Sequence, residues 1–259
     1  MKFYFSGISD AATYKMLETA QVQHILCDPF DVQNVPLSRK IGILDSGAFR
    51  FFRQGSELDM HGYLKRVAEL HERCELIVAP DVINDWNASY LNWLAVKDAS
   101  LIKDRLIPVW QYGAPVEHLE SYLGESRIVG IGGLAKTMRE DETVEQISLR
   151  ERTLDELNHL CEKFPGRFHL FGLNYLKAIE QLKSTAFSCD TSCWIRGASR
   201  SYVIFKNTKT GRLTQAPSKA IPHYRKLDRE ARCILSARNI EEFLSEGLPE
   251  THAGNLKAA

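Results

Sequence analysis

Polar residues end several of the apolar segments of this chain. The segment 185–189 runs into Asp190, and a basic loop containing Gly197 follows it. A short buried strand that ends on an Asp can direct the carboxylate into a site, although an isolated Asp is more often a turn or capping residue. Further apolar segments end in a similar way, at Asp45, Asp81, Gln111, Gly132-Gly133 and Asn174. This repetition favours a shared site.

A shared site at the strand ends would bring together the carboxylates of Asp45, Asp81 and Asp190. This arrangement costs free energy, because like charges repel one another and lose solvation. Proteins usually accept such a cost where the groups act on a ligand. Alternatives stay open at single positions: Asp45 as a turn cap, Asp81 as a turn residue after Pro80, and Gln111 as an orienter of another side chain. The pair Gly132-Gly133 is also compatible with a phosphate cradle.

The elements that must position these residues alternate along the chain. Continuous apolar runs predict strands covered on both faces. The candidate strands are Lys2–Ser6, Gln23–Asp28, Ile41–Asp45, Leu76–Asp81, Leu106–Gln111, Ile128–Gly132, Phe168–Leu173 and Ala186–Asp190. Helical spacing fills most of the gaps, although 29–40 lacks a convincing helix. This α/β pattern predicts a (β/α)8 TIM barrel, with an open doubly wound sheet as the structural alternative.

Composition is that of an ordinary soluble globular protein, with 259 residues, 44% hydrophobic and 25% charged. The first residues predict a strand and not a signal peptide, and no apolar run is long enough to cross a bilayer. The six cysteines are scattered without a close Cys-x-x-Cys pair, so we predict no metal site and no cofactor. A cytoplasmic protein with reduced thiols and no membrane partner is the expectation.

The pattern changes after Arg200. A strand over 201–206, a turn and a return strand over 212–215 predict a hairpin, and two helices are expected over 222–236 and 240–246. We therefore predict a barrel domain of residues 1–200 and a basic extension of residues 201–259, whose last 13 residues look frayed.

Positive charge is concentrated between residues 190 and 238. This stretch holds eleven Lys or Arg against three acidic residues, a formal charge of +8 in a chain whose total is zero. Beside a barrel mouth such a patch suits a polyanion, although a solvated helix face is the alternative. The candidate nucleic-acid-binding residues are Arg196, Arg200, Lys206, Lys209, Arg225, Lys226 and Arg229.

Four motifs lie in order between residues 44 and 196. They are Leu44-Asp45-Ser46-Gly47-Ala48-Phe49, Val109-Trp110-Gln111-Tyr112-Gly113, Val129-Gly130-Ile131-Gly132-Gly133-Leu134-Ala135, and Asp190 with Arg196 six residues later. They resemble the Asp-Ser-Gly-Gly-aromatic, Val-Gln-Gly, Ile-Gly-Gly-Leu-Ala and nucleophile motifs of the tRNA-guanine transglycosylase superfamily. The resemblance implies an enzyme that exchanges a guanine base for a 7-deazaguanine without breaking the backbone.

The resemblance also implies catalytic roles. Asp190 becomes the nucleophile that attacks the anomeric carbon and holds the sugar as a covalent intermediate. Asp45 becomes the general acid and base that moves a proton at the base.

The other implied residues recognise the base, which must leave its stack to be reached. Asp81 would accept from the N1–H and the N2 amine, the Gln111 amide and the Gly133 N–H would donate to O6, and the Leu134 carbonyl would read a substituent. Phe49 and Phe171 would sandwich the ring, with plain core packing as the alternative for Phe171. The full substrate-binding set is Ser46, Phe49, Arg50, Asp81, Gln111, Gly132, Gly133, Leu134 and Phe171.

This chain departs from the family pattern in three ways. Arg50 replaces the Gln that usually follows the aromatic residue, and the Cys-x-Cys-x-x-Cys zinc site is missing, since only Cys233 follows Cys193. The chain is also short and ends in a basic segment. These departures favour the branch called DpdA, which inserts 7-deazaguanine derivatives into bacterial and phage DNA. The predicted partners are DNA and a free base such as preQ0, and the oligomeric state stays open.

Other functions remain possible at this stage. The same exchange in tRNA is the first alternative, because nothing in the sequence identifies a reader of the 2′-hydroxyl. An N-glycoside hydrolase would use the same two carboxylates with water as the acceptor. A catalytically inactive barrel that only binds nucleic acid is the third, but it has no need of three rim carboxylates.

Overall fold

The computed structural model describes residues 1–98, 102–138 and 143–246, so the predicted frayed tail lies outside the described residues. Parallel strands form the centre of the fold. They are β1 Lys2–Phe5, β2 Leu26–Cys27, β3 Ile41–Leu44, β4 Cys74–Val78, β5 Leu106–Ile107, β6 Val109–Gln111, β7 Val129–Gly132, β8 Phe168–Leu170 and β9 Ser188–Thr191. All of them coincide with the strand segments expected from the apolar runs.

Pairing between neighbours closes these strands into a barrel. One ladder runs from β2 through β3 and β4 to β5, and another runs from β6 through β7, β8 and β9 to β1. Pro108 lies between β5 and β6, so these two segments form one interrupted barrel strand, and the Pro108 carbonyl still accepts from the Gly130 N–H at 2.8 Å. A parallel bridge between Phe5 and Ile25 joins β1 to β2 and completes the circle. The (β/α)8 barrel is therefore the fold, and the open sheet is excluded.

Helices follow most of the strands. They are α1 Ala11–Thr19, α2 Ala48–Gln54, α3 Met60–Leu70, α4 Trp86–Val96, α5 Val116–Glu125, α6 Leu134–Thr137, α7 Val144–Lys163, α8 Leu176–Leu182 and α9 Cys193–Ser199. Several begin at a side-chain cap, such as Asp10, Asp59 or Thr143, which accepts a backbone N–H of the first turn. The segment 29–40 holds only a 3₁₀ turn at Val32–Asn34, as its weak helical pattern indicated. No described helix is both long and apolar enough to cross a membrane.

The buried apolar side chains form two clusters, one inside the barrel and one between the strands and the helices. The interior cluster includes Tyr4, Ile43 and Ile107, and Phe171 packs against it. The Phe171 ring lies directly over β7, where a Cβ atom on Gly130 would come within 2.3 Å of its Cε2 atom. Side chains therefore fill the barrel from below and form a floor under its carboxyl-terminal end.

The carboxyl-terminal segment packs against the barrel. Strands β10 Tyr202–Lys206 and β11 Leu213–Pro217 form the expected antiparallel hairpin. A single helix, α10 Arg229–Ser245, packs against β10, α9 and α1. The expectation of two helices was wrong, because residues 222–224 form only a 3₁₀ turn and the buried face from Cys233 to Ile240 continues without a break. The domain boundary at residue 200 stays a prediction.

Helix α10 runs beside α1 in the same direction. Near its start, the charge of Arg229 helps to lower the pKa of Asp10, an effect due mainly to the hydrogen bond from the Thr13 N–H. Farther along, Arg238 Nη2 donates to the Thr19 carbonyl at the end of α1, at 3.4 Å. Because α1 leaves the carboxyl end of β1, α10 begins on the same face as the strand ends and finishes on the opposite face.

Candidate active site at the carboxyl ends of the barrel strands

A cavity of about 930 Å³ opens at the carboxyl ends of the barrel strands. Nearly all of the predicted catalytic and base-binding residues line it: Asp45, Ser46, Phe49, Arg50, Asp81, Gln111, Gly132, Gly133, Phe171 and Asp190. Asp45 and Asp190, which are 145 positions apart in the sequence, therefore share one cavity because the barrel closes.

Asp81 is a fixed acceptor in the wall of this cavity. The Ser46 hydroxyl donates to Asp81 Oδ1 at 2.6 Å, and Gln111 Nε2 donates to Oδ2 at 3.1 Å. Burial raises the pKa of Asp81, and these two hydrogen bonds oppose the rise. Both donors come from neighbouring strand ends, so the orientation of the Asp81 carboxyl is set by the barrel itself.

Asp45 has a different electrostatic environment. Burial raises its pKa well above the usual value, and the charges of Asp81, Asp28 and Asp190 raise it further. The Asp45 backbone N–H donates to the Cys27 carbonyl at 2.8 Å, which ties the end of β3 to β2. A carboxyl whose protonated form is favoured in this way can act as a general acid.

Asp190 is buried and held at one oxygen. Its Oδ1 atom accepts the Gly172 N–H at 2.9 Å, and only 6% of the residue is exposed. Asn174, to which the strand-end pattern assigned no role, accepts from Arg196 Nη2 at 2.5 Å and from the Thr191 hydroxyl. Asn174 therefore fixes Arg196 at the cavity wall close to Asp190.

The Gly132-Gly133 pair lies against Gln111. A Cβ atom on Gly132 would come within 3.1 Å of Gln111 Oε1, and Gly133 has a φ of +82° at the start of α6. Leu134 is not brought to the cavity: its side chain is fully buried. Its carbonyl already accepts from the Met138 N–H at 2.8 Å and from the Thr137 hydroxyl at 3.3 Å. This geometry contradicts the predicted contact between the Leu134 carbonyl and the base.

Arg50 forms two ion pairs across the cavity wall. Its Nε atom lies 3.0 Å from Asp28 Oδ2, and its Nη2 atom lies 2.5 Å from Asp31 Oδ2. These contacts attach α2 to the loop after β2, and they present Phe49, which is 59% exposed, at the mouth. The sequence pattern had indicated Arg50 but missed both acids. Asp28 directly follows β2, so the strand-end criterion that selected Asp45 also applies to it.

His169 was also missed, although it lies beside Asp190. Its Nε2 atom is 3.5 Å from Asp190 Oδ1, and its Nδ1 atom is 2.7 Å from the Ser188 hydroxyl. The ring is fully buried and meets Phe171 edge to face at 4.3 Å. His169 precedes Phe171 by two residues, a spacing that places both side chains on one face of a strand. That periodicity was the available signal.

The basic residues divide into two groups. Arg196 lines the cavity, Arg200 follows α9, and Arg229 Nε donates to the Ser199 hydroxyl at 3.2 Å. Arg225 and Lys226 lie within three residues of Asp228, the cap of α10. We call the set Arg196, Arg200, Arg225, Lys226 and Arg229 the mouth cations.

Lys206 and Lys209 lie elsewhere. Lys206 pairs with Glu246, which follows the last residue of the 17-residue helix α10. Such a helix is about 25 Å long, so the pair lies at the end of α10 opposite the cavity. Lys209 lies in the hairpin turn that follows. The predicted role of Lys206 and Lys209 in nucleic-acid binding stays a prediction.

Within the described ranges, no cluster of three or more His, Cys, Asp or Glu side chains is arranged to hold a metal ion. All six cysteines are buried, and none forms a disulfide bond. Burial raises the pKa of the Cys27 thiol to about 12.

No protein-family model matches this chain, and no curated protein matches it. Among solved structures, the chain is similar to the tryptophan synthase alpha chain from Legionella pneumophila subsp. pneumophila. The two are 8% identical, with a TM-score of 0.44, over 94% of this chain and 90% of that chain.

Proposed function

We propose that this chain is a guanine transglycosylase that replaces guanine in DNA with a 7-deazaguanine derivative through a covalent intermediate on Asp190. The observation that carries the proposal is the convergence of Asp45, Asp81, Gln111 and Asp190 on one cavity. Each of these groups has the surroundings that its proposed task requires.

Recognition of the base follows from complementary donors and acceptors. Guanine presents donors at N1 and N2 and an acceptor at O6. The fixed carboxyl of Asp81 supplies the acceptor, and the second amide hydrogen of Gln111 with the Gly133 N–H supplies the donors. The cavity volume of about 930 Å³ is large enough for a nucleotide whose base has left its stack.

The exchange takes two displacements. Asp190 Oδ2 attacks C1′ while the C1′–N9 bond breaks. The electron pair of the C1′–N9 bond passes to the departing guanine, which takes the proton of Asp45. The incoming 7-deazaguanine then returns a ring proton to the Asp45 carboxylate and attacks C1′. The C1′–Oδ2 bond breaks, and its electron pair restores the Asp190 carboxylate. Proton and charge are thereby balanced over one cycle.

A DNA substrate is the part of the proposal that rests on the sequence resemblance. The family's zinc-bearing module is absent from the sequence, and a basic segment follows the barrel in its place. Arg196 lines the cavity, and we infer that the other mouth cations continue the path of a phosphate backbone from it.

The proposal is tested by incubating the protein with a radiolabelled 7-deazaguanine and duplex DNA, single-stranded DNA or tRNA. We expect label in DNA and none in tRNA, and we expect Asp190→Asn to abolish it. Asp155→Asn, on the exposed face of α7, is the matched control and should behave as the wild type does. Label in tRNA alone would overturn the DNA assignment. Release of guanine without label would indicate a hydrolase, and neither label nor guanine would remove the proposed function altogether.

A further inference from the structure

We infer that His169 is a positioning residue that, together with Ser188, holds Asp190 so that one defined carboxylate oxygen attacks the sugar. The inference rests on the proposed function for its catalytic consequence. Its geometric basis stands on the barrel interior alone.

The imidazole of His169 lies in the barrel with one nitrogen paired and one unpaired. Nδ1 is 2.7 Å from the hydroxyl of Ser188, and both residues are fully buried. Nε2 has no hydrogen-bond partner among the described residues, yet it lies 3.5 Å from Asp190 Oδ1. A buried polar nitrogen without a partner is costly, so a small approach of the carboxylate towards it is favourable.

The hydroxyl of Ser188 decides which nitrogen of a neutral ring carries the hydrogen. If the hydroxyl donates to Nδ1, the hydrogen of the ring is on Nε2 and faces the carboxylate. If Nδ1 carried the hydrogen, the lone pair of Nε2 would face Asp190 Oδ1 and repel it. The first arrangement places every hydrogen between a donor and an acceptor and is therefore the favoured tautomer.

The consequence for Asp190 is a difference between its two oxygens. Oδ1 accepts from the Gly172 N–H at 2.9 Å and faces the Nε2–H of His169, so Oδ2 is the oxygen left to attack C1′. In the covalent intermediate Oδ1 becomes the carbonyl oxygen of the ester. Donors that remain on Oδ1 stabilise the carboxylate as the C1′–Oδ2 bond breaks again.

Two substitutions of His169 separate positioning from packing. His169→Leu fills the space but removes the donor, whereas His169→Gln places an amide N–H near the position of Nε2. We expect His169→Leu to slow formation of the covalent intermediate on the order of 10²-fold, with unchanged affinity for DNA. His169→Gln should recover most of that rate. Equal rates in His169→Leu and the wild type would overturn the inference.

Ser188→Ala gives a milder test that leaves the imidazole in place. Loss of one neutral hydrogen bond should slow the first displacement about tenfold. A wild-type rate in this variant would show that the hydroxyl does not select the tautomer. Thermal unfolding of each variant identifies any loss of rate that comes from misfolding.

A readout independent of activity keeps this inference separate from the proposed function. Long-range ¹H–¹⁵N correlation spectra of the histidine rings report which nitrogen carries hydrogen, and His169→Gln assigns the resonance. We expect hydrogen on Nε2 in the wild type, an upfield shift of that proton in Asp190→Asn, and more of the Nδ1–H form in Ser188→Ala. An Nδ1–H ring in the wild type would overturn the inference even if base exchange is active. If the wild type exchanges no base, the proposed function fails and these spectra still decide the role of His169.

Discussion

Asp45 and Asp81 are two carboxyls of one rim whose surroundings suit them to different tasks. Fixed donors occupy both oxygens of Asp81, so it is suited to binding a ligand with matching hydrogens. Asp45 is buried among other carboxylates, which favours its protonated form. Enzymes commonly base acid–base chemistry on two titratable groups whose environments give them different pKa values.

The raised pKa of Asp45 predicts an alkaline limit on the reaction. If the departing guanine takes the proton of Asp45 as proposed, the rate is highest below the pKa of Asp45 and falls as the pH rises through it. We expect kcat/KM for base exchange to show this limb in the wild type. Asp45→Asn should lower the rate and abolish the limb. An identical pH profile in the variant would exclude Asp45 as the acid.

Asp81→Ala should weaken base recognition more than nucleic-acid binding. The substitution removes an acceptor from guanine and leaves Ser46 and Gln111 without their partner. We expect the dissociation constant of free guanine, measured by calorimetry, to rise about 10- to 100-fold, the cost of losing hydrogen bonds to a charged group. The affinity for DNA should stay within about twofold of the wild type. Equal losses for the two ligands would contradict the assignment.

At this scale the sequence predicted most residues that follow apolar runs, with Asp28 as an exception, and it missed His169 within one of them. Asp45, Asp81 and Asp190 were predictable because parallel strands end on one face. His169 lies inside the apolar segment 168–173, where a single polar side chain is more often an ordinary core residue. The role of Leu134 was wrong because the start of α6 uses the carbonyl within its own helix, and four residues carry no periodicity that predicts a helix.

At the scale of elements, α2 positions the cavity wall. This helix has seven residues, begins after Gly47 with its φ of +80°, and is too short for a periodic signal. Its Arg50 reaches Asp28 and Asp31 on the loop after β2. The two ion pairs therefore join consecutive strand-to-helix connections on the active face.

Arg50→Gln, which removes the cation from both ion pairs, should loosen the loop of residues 28–34. Partly exposed ion pairs contribute about 0–1 kcal/mol each, so we expect amide hydrogen exchange in that loop to accelerate by about fivefold. Arg53→Gln on the same helix is the matched control, since Arg53 lies over the Phe49 ring of its own helix at 6.0 Å. Equal exchange in the two variants would show that the ion pairs do not hold the loop.

Helix α10 carries Glu241, a partly buried carboxyl whose ionised form destabilises the folded state. Burial against the barrel raises the pKa of Glu241 from 4.5 to about 6, although the Gln23 N–H and Arg39 oppose the rise. The folded state thus binds this proton more tightly than the unfolded state does. Stability is greatest below pH 4.5 with respect to this group, and it declines as the pH rises towards 6.

Glu241→Gln should therefore stabilise the protein at pH 7.5 by up to about 2 kcal/mol, and it should have little effect at pH 4.5. The measurement is urea unfolding at the two pH values. Glu242→Gln, on the exposed side of the same turn, is the control and should be neutral at both. A gain that is the same at pH 4.5 and pH 7.5 would mean that the charge is not responsible.

At the scale of the whole molecule, closure of the barrel and the direction of α10 decide what lies near the cavity. The repeated strand pattern predicted the barrel and left an open sheet as the alternative, because strand segments are recognised locally whereas closure depends on the pairing of Phe5 with Ile25. The direction of α10 could not be predicted, because it depends on packing between the ends of the chain, such as the contact of Arg238 with the Thr19 carbonyl. Hence the sequence showed one stretch of charge +8, whereas the fold places Arg196 at the cavity and Lys206 beside Glu246, after the end of α10.

This division predicts a salt dependence that composition alone does not. Neutralising Arg225, Lys226 and Arg229 to Gln removes three mouth cations. Neutralising Lys206, Lys209 and Arg212 removes the same charge from the hairpin, where Lys206 pairs with Glu246 and Arg212 lies 4.0 Å from Glu180. Each phosphate contact contributes about 0.9 to the slope of log K against log salt for duplex DNA.

We expect the first triple variant to bind DNA more weakly, with a slope that is smaller by up to about 2.7. The second triple variant should keep the wild-type slope, because its charges lie too far from the mouth to meet the same backbone. Fluorescence anisotropy at several salt concentrations measures both. Since the two variants have the same net charge, a general effect of charge would change both slopes equally. That result would remove the distinction between the two faces, whereas a loss confined to the mouth variant would assign the DNA path to the face that carries Asp190.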